Sequence, residues 1–211
     1  GAIDPMMLGL VWDSPLGTTA LWRATGELLI FAVLIESTIG MTVSLLGTLL
    51  IAVSYTLVGH SLGDPRWLLA ALVGVHLLAG AFWVGALAPL HLAVEQTGGA
   101  AMLHRFGTIA SGTVAVLVLV GLTFAWLMIG SVGELFGTAY GWTLITKLIV
   151  VTGLLGLAAR NKFRLVPSLA SGDPSAPDRL RRSICLEFIA VGLILLATST
   201  LTTITIPPAN L

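Results

Sequence analysis

Long apolar runs separated by short polar segments make up most of the chain. A helix needs about 20 mostly apolar residues to cross a bilayer, because each backbone group left unpaired in lipid costs several kcal/mol. Six runs meet this requirement: 16–36, 40–60, 68–90, 106–130, 141–159 and 184–206. The nearly continuous stretch 23–60 is too long for one crossing, and the polar residues 36–40 divide it. The pattern predicts an all-α fold: a polytopic membrane protein with a bundle of about six transmembrane helices.

The remaining segments have a different composition. The opening GAIDP is interpreted as vector-derived sequence, so residues 1–12 are expected to be an N-terminal segment outside the bundle. Residues 161–180 are rich in Pro, Ser and Asp, which predicts a hydrophilic, mobile loop. Pro207 and Pro208 are expected to close the last helix. Residues 13–208 are therefore predicted to form a single transmembrane helical domain.

Composition supports the membrane assignment and narrows the possible functions. The chain is 56% hydrophobic and only 9% charged, whereas soluble domains carry about 25% charged residues. Ten acidic and ten basic residues cancel, so we expect no nucleic-acid partner. The single cysteine, Cys185, excludes an internal disulfide and a CxxC motif. No Walker motif is present, and we predict that the protein is not an enzyme.

The distribution of basic residues predicts the orientation. Cytoplasmic loops of membrane proteins carry an excess of Lys and Arg. With six helices, one side of the membrane has only Arg23 and Arg66, and the other side has the remaining loop cations: Arg105, Arg160, Lys162, Arg164, Arg179, Arg181 and Arg182. The basic side, with the 161–180 loop, is expected to be cytoplasmic. Both termini are then expected to face the outside or the periplasm.

Potential metal ligands fall into two groups at different depths. The outer group contains His60, His76 and Met128. The inner group contains Met41, His91, Met102, His104, Cys185 and Glu187. Thiolate and thioether groups suit Cu(I), and imidazole suits copper among other metals. Of the two copper oxidation states, Cu(I) suits these groups better than Cu(II), while the imidazoles leave zinc and other metals open.

Several sequence motifs resemble the CopD family of bacterial copper-resistance and copper-uptake membrane proteins. Residues 59–85 read GHSLGDPRWLLAALVGVHLLAGAFWVG, and further similar runs are DSPLGTTALWR (13–23), RFGTIA (105–110), YGWTLITKL (140–148) and LRRSICLEF (180–188). The resemblance implies a CopD-like domain that handles copper across or within the bacterial inner membrane, often beside a periplasmic copper-binding partner of the CopC type, so that both termini would be periplasmic. It marks five residues: His60, His76, Trp83, Lys147 and Glu187. Met128, His91, His104 and Cys185 are added because of their side-chain chemistry alone.

Three functions are compatible with these residues. In the first, copper crosses the membrane by ligand exchange between the outer and inner groups. The second is a b-type haem or quinol redox protein with His60 and His76 as axial ligands, although helix geometry places them roughly 10–15 Å apart in depth. The third is a noncatalytic membrane anchor for the periplasmic partner. His76 shares one helix face with Gly80 and Trp83, which predicts that it faces the bundle. A homo-oligomer is compatible with the sequence.

Overall fold

The computed structural model describes residues 4–59, 63–205, 207 and 208, which contain helices and no strand. The α-helices are α1 Pro5–Trp12, α2 Pro15–Ile30, α3 Thr38–Tyr55, α4 Arg66–Ala93, α5 Gly99–Ile129, α6 Val132–Gly137, α7 Ala139–Arg160, α8 Val166–Ala170 and α9 Ala176–Thr203. A 3₁₀-helix, Phe31–Leu34, continues α2, and a π-helix, Asn161–Leu165, joins α7 to α8. The all-α prediction is confirmed.

Local sequence signals account for several helix starts. Ser14 caps α2, and Pro15 follows it at the first helical position, where a missing N–H costs nothing. Ser37 caps α3 by accepting a hydrogen bond from the Gly40 N–H at 3.1 Å. Thr138 caps α7 in the same way. These side chains satisfy N–H groups that have no partner within the helix.

Five helices among the described residues are long and apolar enough to cross a membrane. They are Thr38–Tyr55, Arg66–Ala93, Gly99–Ile129, Ala139–Ala170 and Ala176–Thr203. The protein is thus a multi-pass membrane protein, as predicted. The predicted first span, 16–36, corresponds to α2 and the 3₁₀-helix. It does not join the five because α2 by itself has only 16 residues.

The segment 161–180, predicted as a loop, is largely helical. The π-helix and α8 continue α7 through Ala170, and α9 begins at Ala176. Leu165 and Val166 are each only 5% exposed and belong to the hydrophobic core, which anchors this continuation. Pro167 lies in the first turn of α8, where proline is tolerated in a helix. Residues 171–175 form the non-helical connection.

The connection before α9 is organised by Asp173. Its carboxylate accepts hydrogen bonds from the Ser175 hydroxyl at 2.7 Å and from the Ser175 N–H at 2.9 Å, and it pairs with Arg179. The Ser175 hydrogen bonds and the Arg179 charge hold the pKa of Asp173 below its usual value. A carboxyl with a lowered folded-state pKa contributes stability above its unfolded pKa and loses it as the pH falls through the folded value.

We therefore expect acidification to loosen the start of α9. Amide hydrogen exchange across residues 173–179 should accelerate as the pH falls through the pKa of Asp173, after correction for intrinsic exchange. Asp173→Asn should show the faster corrected exchange already at neutral pH and should remove this pH dependence. Equal protection in the variant and the wild type at neutral pH would contradict the assignment.

The chain forms two compact units, divided within α4 after Leu78. In the first unit, α2 packs against α3 at a close backbone approach between Gly26 and Gly47. A Cβ added at Gly47 would lie 2.6 Å from the Gly26 carbonyl oxygen. One turn from this contact, Arg23 donates from Nε to the Ser54 hydroxyl at 3.1 Å and lies over the Tyr55 ring. The half-buried arginine thus has two partners within the unit.

The second unit begins at Ala79, and α7 packs against α9 within it. Its hydrophobic core is built from side chains of α4, α5, α7, α9 and the segment around 165: Trp83, Leu87, Leu90, Val94, Leu103, Leu154, Leu165, Val166, Leu180, Ile184 and Val191. This core positions the end of α4 beside the first half of α9. Three of the predicted inner ligands, His91, Cys185 and Glu187, lie on these two segments.

Candidate functional site

The predicted outer ligands lie in different parts of the chain. His60 lies outside the described residues. His76 is on α4, half-buried, with its Nδ1 atom shielded from solvent. Met128 is fully buried near the end of α5, and Lys147 is half-buried on α7. Among the residues that the structure describes, no group of three or more His, Cys, Asp or Glu side chains could hold a metal ion.

Two of the predicted inner ligands come together. Cys185 on α9 places its Sγ 4.0 Å from Nδ1 of His91, which lies near the end of α4. The imidazole is half-buried, whereas the cysteine is exposed. Their sequence separation is 94 residues, so this juxtaposition arises from the packing of α4 and α9 in the second unit.

The spacing of this pair fits one small metal ion between the two atoms. Bonds from zinc to thiolate sulfur and to imidazole nitrogen are about 2.3 and 2.0–2.1 Å long. Two such bonds span at most about 4.4 Å when they are collinear, and a bent arrangement spans less. The observed 4.0 Å is therefore compatible with a single bridging ion without movement of either helix.

A basic residue and an acidic residue complete the surroundings of the pair. Arg181, one turn before Cys185, donates from Nε to His91 Nε2 at 3.4 Å and also pairs with Glu95. Because a guanidinium can only donate hydrogen bonds, this contact makes Nε2 the acceptor. The ring proton is then on Nδ1 and faces the sulfur. Glu95 balances the arginine charge, so the pair lies beside an ion pair rather than an isolated cation.

The remaining inner candidates do not join this pair. His104 is exposed on α5, and Met41 and Met102 are 63% and 48% exposed. Glu187 lies only two residues after Cys185, but residues at this spacing do not face each other on a helix. Cys185 is exposed and Glu187 is only 4% exposed. Cys185 and Glu187, which were predicted in one ligand group, therefore lie on different faces of α9.

Glu187 instead faces the interior of the second unit. Its Oε1 accepts a hydrogen bond from Nδ2 of Asn161 at 2.6 Å. The Trp83 indole, 5% exposed, lines the same cavity as Glu187, and its Nε1 atom forms no hydrogen bond within the described residues. Trp83 and Glu187 were both marked by the CopD resemblance, and the structure brings them to one place.

A cavity of about 270 Å³ adjoins Glu187. Apart from Trp83, Asn161 and Glu187, its polar lining residues are Ser111 and Lys162, and most of the other side chains are apolar. The Lys162 ammonium donates to the Ser111 hydroxyl. Asn161 was not among the predicted site residues, because it follows Arg160 in a segment predicted as a loop. The regular apolar pattern of 141–159, continued past Arg160 by Leu165 and Val166, is the signal that could have found it.

A comparison with protein families gives a match in the second half of the chain. Residues 100–201 match the family model for CopD, described as copper resistance protein D. The matched region contains Cys185, Glu187, Asn161 and Lys147, whereas Trp83 and His91 precede it. Comparisons with curated proteins and with solved structures give no match.

Proposed function

We propose that this membrane protein binds Cu(I) and moves it across the bilayer by ligand exchange, because residues 100–201 match the family model for copper resistance protein D. The observation that carries the proposal is the 4.0 Å separation between Cys185 Sγ and His91 Nδ1. Thiolate is a soft ligand suited to Cu(I), and imidazole binds copper well. Copper is the cargo in this proposal, and the two side chains form its inner binding site.

Ion binding at this pair requires two proton rearrangements. The cysteine must lose its proton, because the thiolate is the metal ligand. The His91 proton must move from Nδ1 to Nε2, which turns Nε2 into a donor. Arg181 then has no acceptor on the ring and retains its ion pair with Glu95. The arginine contact thus competes with copper, which favours a site that releases its ion over one that stores it.

The exposure of the site also favours transfer. Two protein ligands leave open positions on the ion, and the exposed Cys185 can be reached by an incoming ligand. Arg181 and Arg182 lie close to it in the sequence. Because cytoplasmic segments carry an excess of Lys and Arg, these two residues support a cytoplasmic position for the site. In this proposal, His60 and His76 supply the outer site, and Met128 lies between helices on the outer half.

The proposed topology retains six crossings. The sixteen residues of α2 and the four of the 3₁₀-helix together rise about 32 Å at about 1.5 and 2.0 Å per residue. This length matches a hydrocarbon core of about 30 Å. With α2 as a crossing, both termini lie on the periplasmic side of the inner membrane, where a CopC-type protein would deliver or collect the ion. The chain acts as a carrier and not as an enzyme.

Copper movement into vesicles tests the proposal directly. Purified protein is reconstituted into liposomes that contain a Cu(I)-responsive dye, and Cu(I) is added outside under anaerobic reducing conditions. The wild type should carry copper faster than protein-free vesicles, and the His91→Ala/Cys185→Ser double variant should fall to the background rate. His104→Ala is the matched control, since His104 is an exposed histidine outside the pair.

Elemental analysis of the same preparation separates the alternatives. Iron bound as purified would support the haem function instead, and a wild-type flux equal to that of empty vesicles would contradict translocation. Equal flux in the double variant and the wild type would exclude the pair from the path.

A further inference from the structure

Glu187 presents an electrostatic problem that the copper site does not solve. Its carboxylate is 4% exposed in a segment that spans the membrane, and among the described residues it forms no salt bridge. A buried carboxylate without a compensating charge is strongly disfavoured. Lys162 lines the same cavity, but its ammonium donates to the Ser111 hydroxyl and forms no ion pair with Glu187. Within the described residues, no cationic side chain is therefore paired with the Glu187 carboxylate.

Two further buried oxygen atoms lack partners, one on Asn161, which donates to Glu187, and one on Ser183, one helical turn before Glu187. The Oδ1 atom of Asn161 and the hydroxyl oxygen of Ser183 are both buried, and neither forms a hydrogen bond within the described residues. Asn161 is 9% exposed and lines the cavity, and Ser183 is 1% exposed. Ser183 lies four residues before Glu187 and therefore on the same face of α9. Buried polar atoms without partners are rare in native proteins and call for an explanation.

These atoms form a set of oxygen ligands with a single negative charge, that of the Glu187 carboxylate. A carboxylate, an amide oxygen and a hydroxyl are hard ligands, which suit alkali and alkaline-earth cations rather than Cu(I). The single carboxylate balances one positive charge, so a divalent ion would leave a net charge in an apolar cavity. Asn161 also begins the π-helix, and π-helical turns within α-helices are frequent at functional sites.

We propose that Glu187, Asn161 and Ser183 bind a monovalent alkali cation within the second unit. The ion supplies the positive counter-charge for the Glu187 carboxylate. It is also bound by the Asn161 Oδ1 and Ser183 hydroxyl oxygens, which otherwise have no partner. Discontinuous membrane helices hold coupling cations in secondary transporters by similar means. Binding of this ion does not depend on the copper proposal, whereas its coupling to copper movement rests on that proposed function.

Direct cation binding to the purified protein tests this site. The probe is ²²Na⁺, measured by scintillation proximity in detergent, with choline replacing sodium to keep ionic strength constant and with K⁺ as competitor. We expect saturable binding close to one ion per chain. Glu187→Gln should weaken it by more than about tenfold, because it removes the buried charge that pairs with the ion. Ser183→Ala should weaken it by a smaller factor.

The controls make the result decisive. Glu134→Gln removes a glutamate that is exposed on α6 and should bind the ion like the wild type. Absence of saturable alkali-cation binding in monodisperse wild-type protein would overturn the proposal, as would unchanged binding in Glu187→Gln. If Glu187→Gln does not fold, Ser183→Ala and the wild-type measurement still decide the outcome. Copper retention is measured separately on the same samples, so failure of the copper site and failure of this site are distinguishable.

Discussion

Cys185→Ser is expected to weaken Cu(I) binding to the purified protein by more than about 100-fold, beyond the 10–100-fold that loss of an outer-shell partner costs. The substitution keeps the size and position of the side chain but replaces a soft thiolate with a hard hydroxyl, which binds Cu(I) poorly. His91, whose Nδ1 lies 4.0 Å from the sulfur in the wild type, would then be the only ligand left of the pair. The affinity is measured by competition with a Cu(I) chelator under anaerobic conditions.

The binding experiment has controls for both residue types. His91→Ala should produce a loss of similar order, while His104→Ala should retain wild-type affinity because His104 lies outside the pair. Arg181→Ala should strengthen binding. The Arg181 hydrogen bond to His91 Nε2 favours the tautomer with its proton on Nδ1, and Nδ1 must be free of that proton to bind the ion. Wild-type affinity in Cys185→Ser would remove the pair as a copper site.

Gly47→Ala is expected to lower the unfolding free energy by about 1–3 kcal/mol, the usual cost of overpacking a tight interface. The new Cβ would lie 2.6 Å from the Gly26 carbonyl oxygen and 2.8 Å from the Leu29 Cβ. Backbone atoms cannot rotate away, so α2 and α3 must separate. The effect is measured as a lower thermal midpoint of the detergent-solubilised protein.

The same substitution at another helical glycine of the first unit provides the control. A Cβ at Gly74 on α4 would meet only the Thr56 Cγ2 atom at 4.0 Å, an ordinary contact. Gly74→Ala should therefore leave stability unchanged or raise it by up to about 1 kcal/mol, since alanine favours helix more than glycine does. If both variants melted at the wild-type temperature, the close approach would have no energetic importance.

The sequence predicted parts of the candidate site through residue type. Cys185 and His91 were selected because their side chains suit copper, and the structure places them 4.0 Å apart. Glu187 was selected with them, but its neighbours could not be predicted, since the interval of two residues on a helix turns it away from Cys185. Asn161 was missed because a polar residue between cations resembles a loop. Its position was decided by Leu165 and Val166, which are buried in the core and continue the helix past it.

The sequence by itself determined the all-α, multi-pass class, because the requirement to pair every backbone group in lipid makes an apolar run of about 20 residues a helix. It also determined the chemical types of the available ligands. Only the tertiary structure decided which residues meet: His91 and Cys185 at one surface, and Trp83, Asn161 and Glu187 at one cavity. These contacts join residues far apart in the chain, and they depend on the packing of α4, α7 and α9. Apolar runs determine that a helix crosses the membrane but carry little information about the rotation with which it packs.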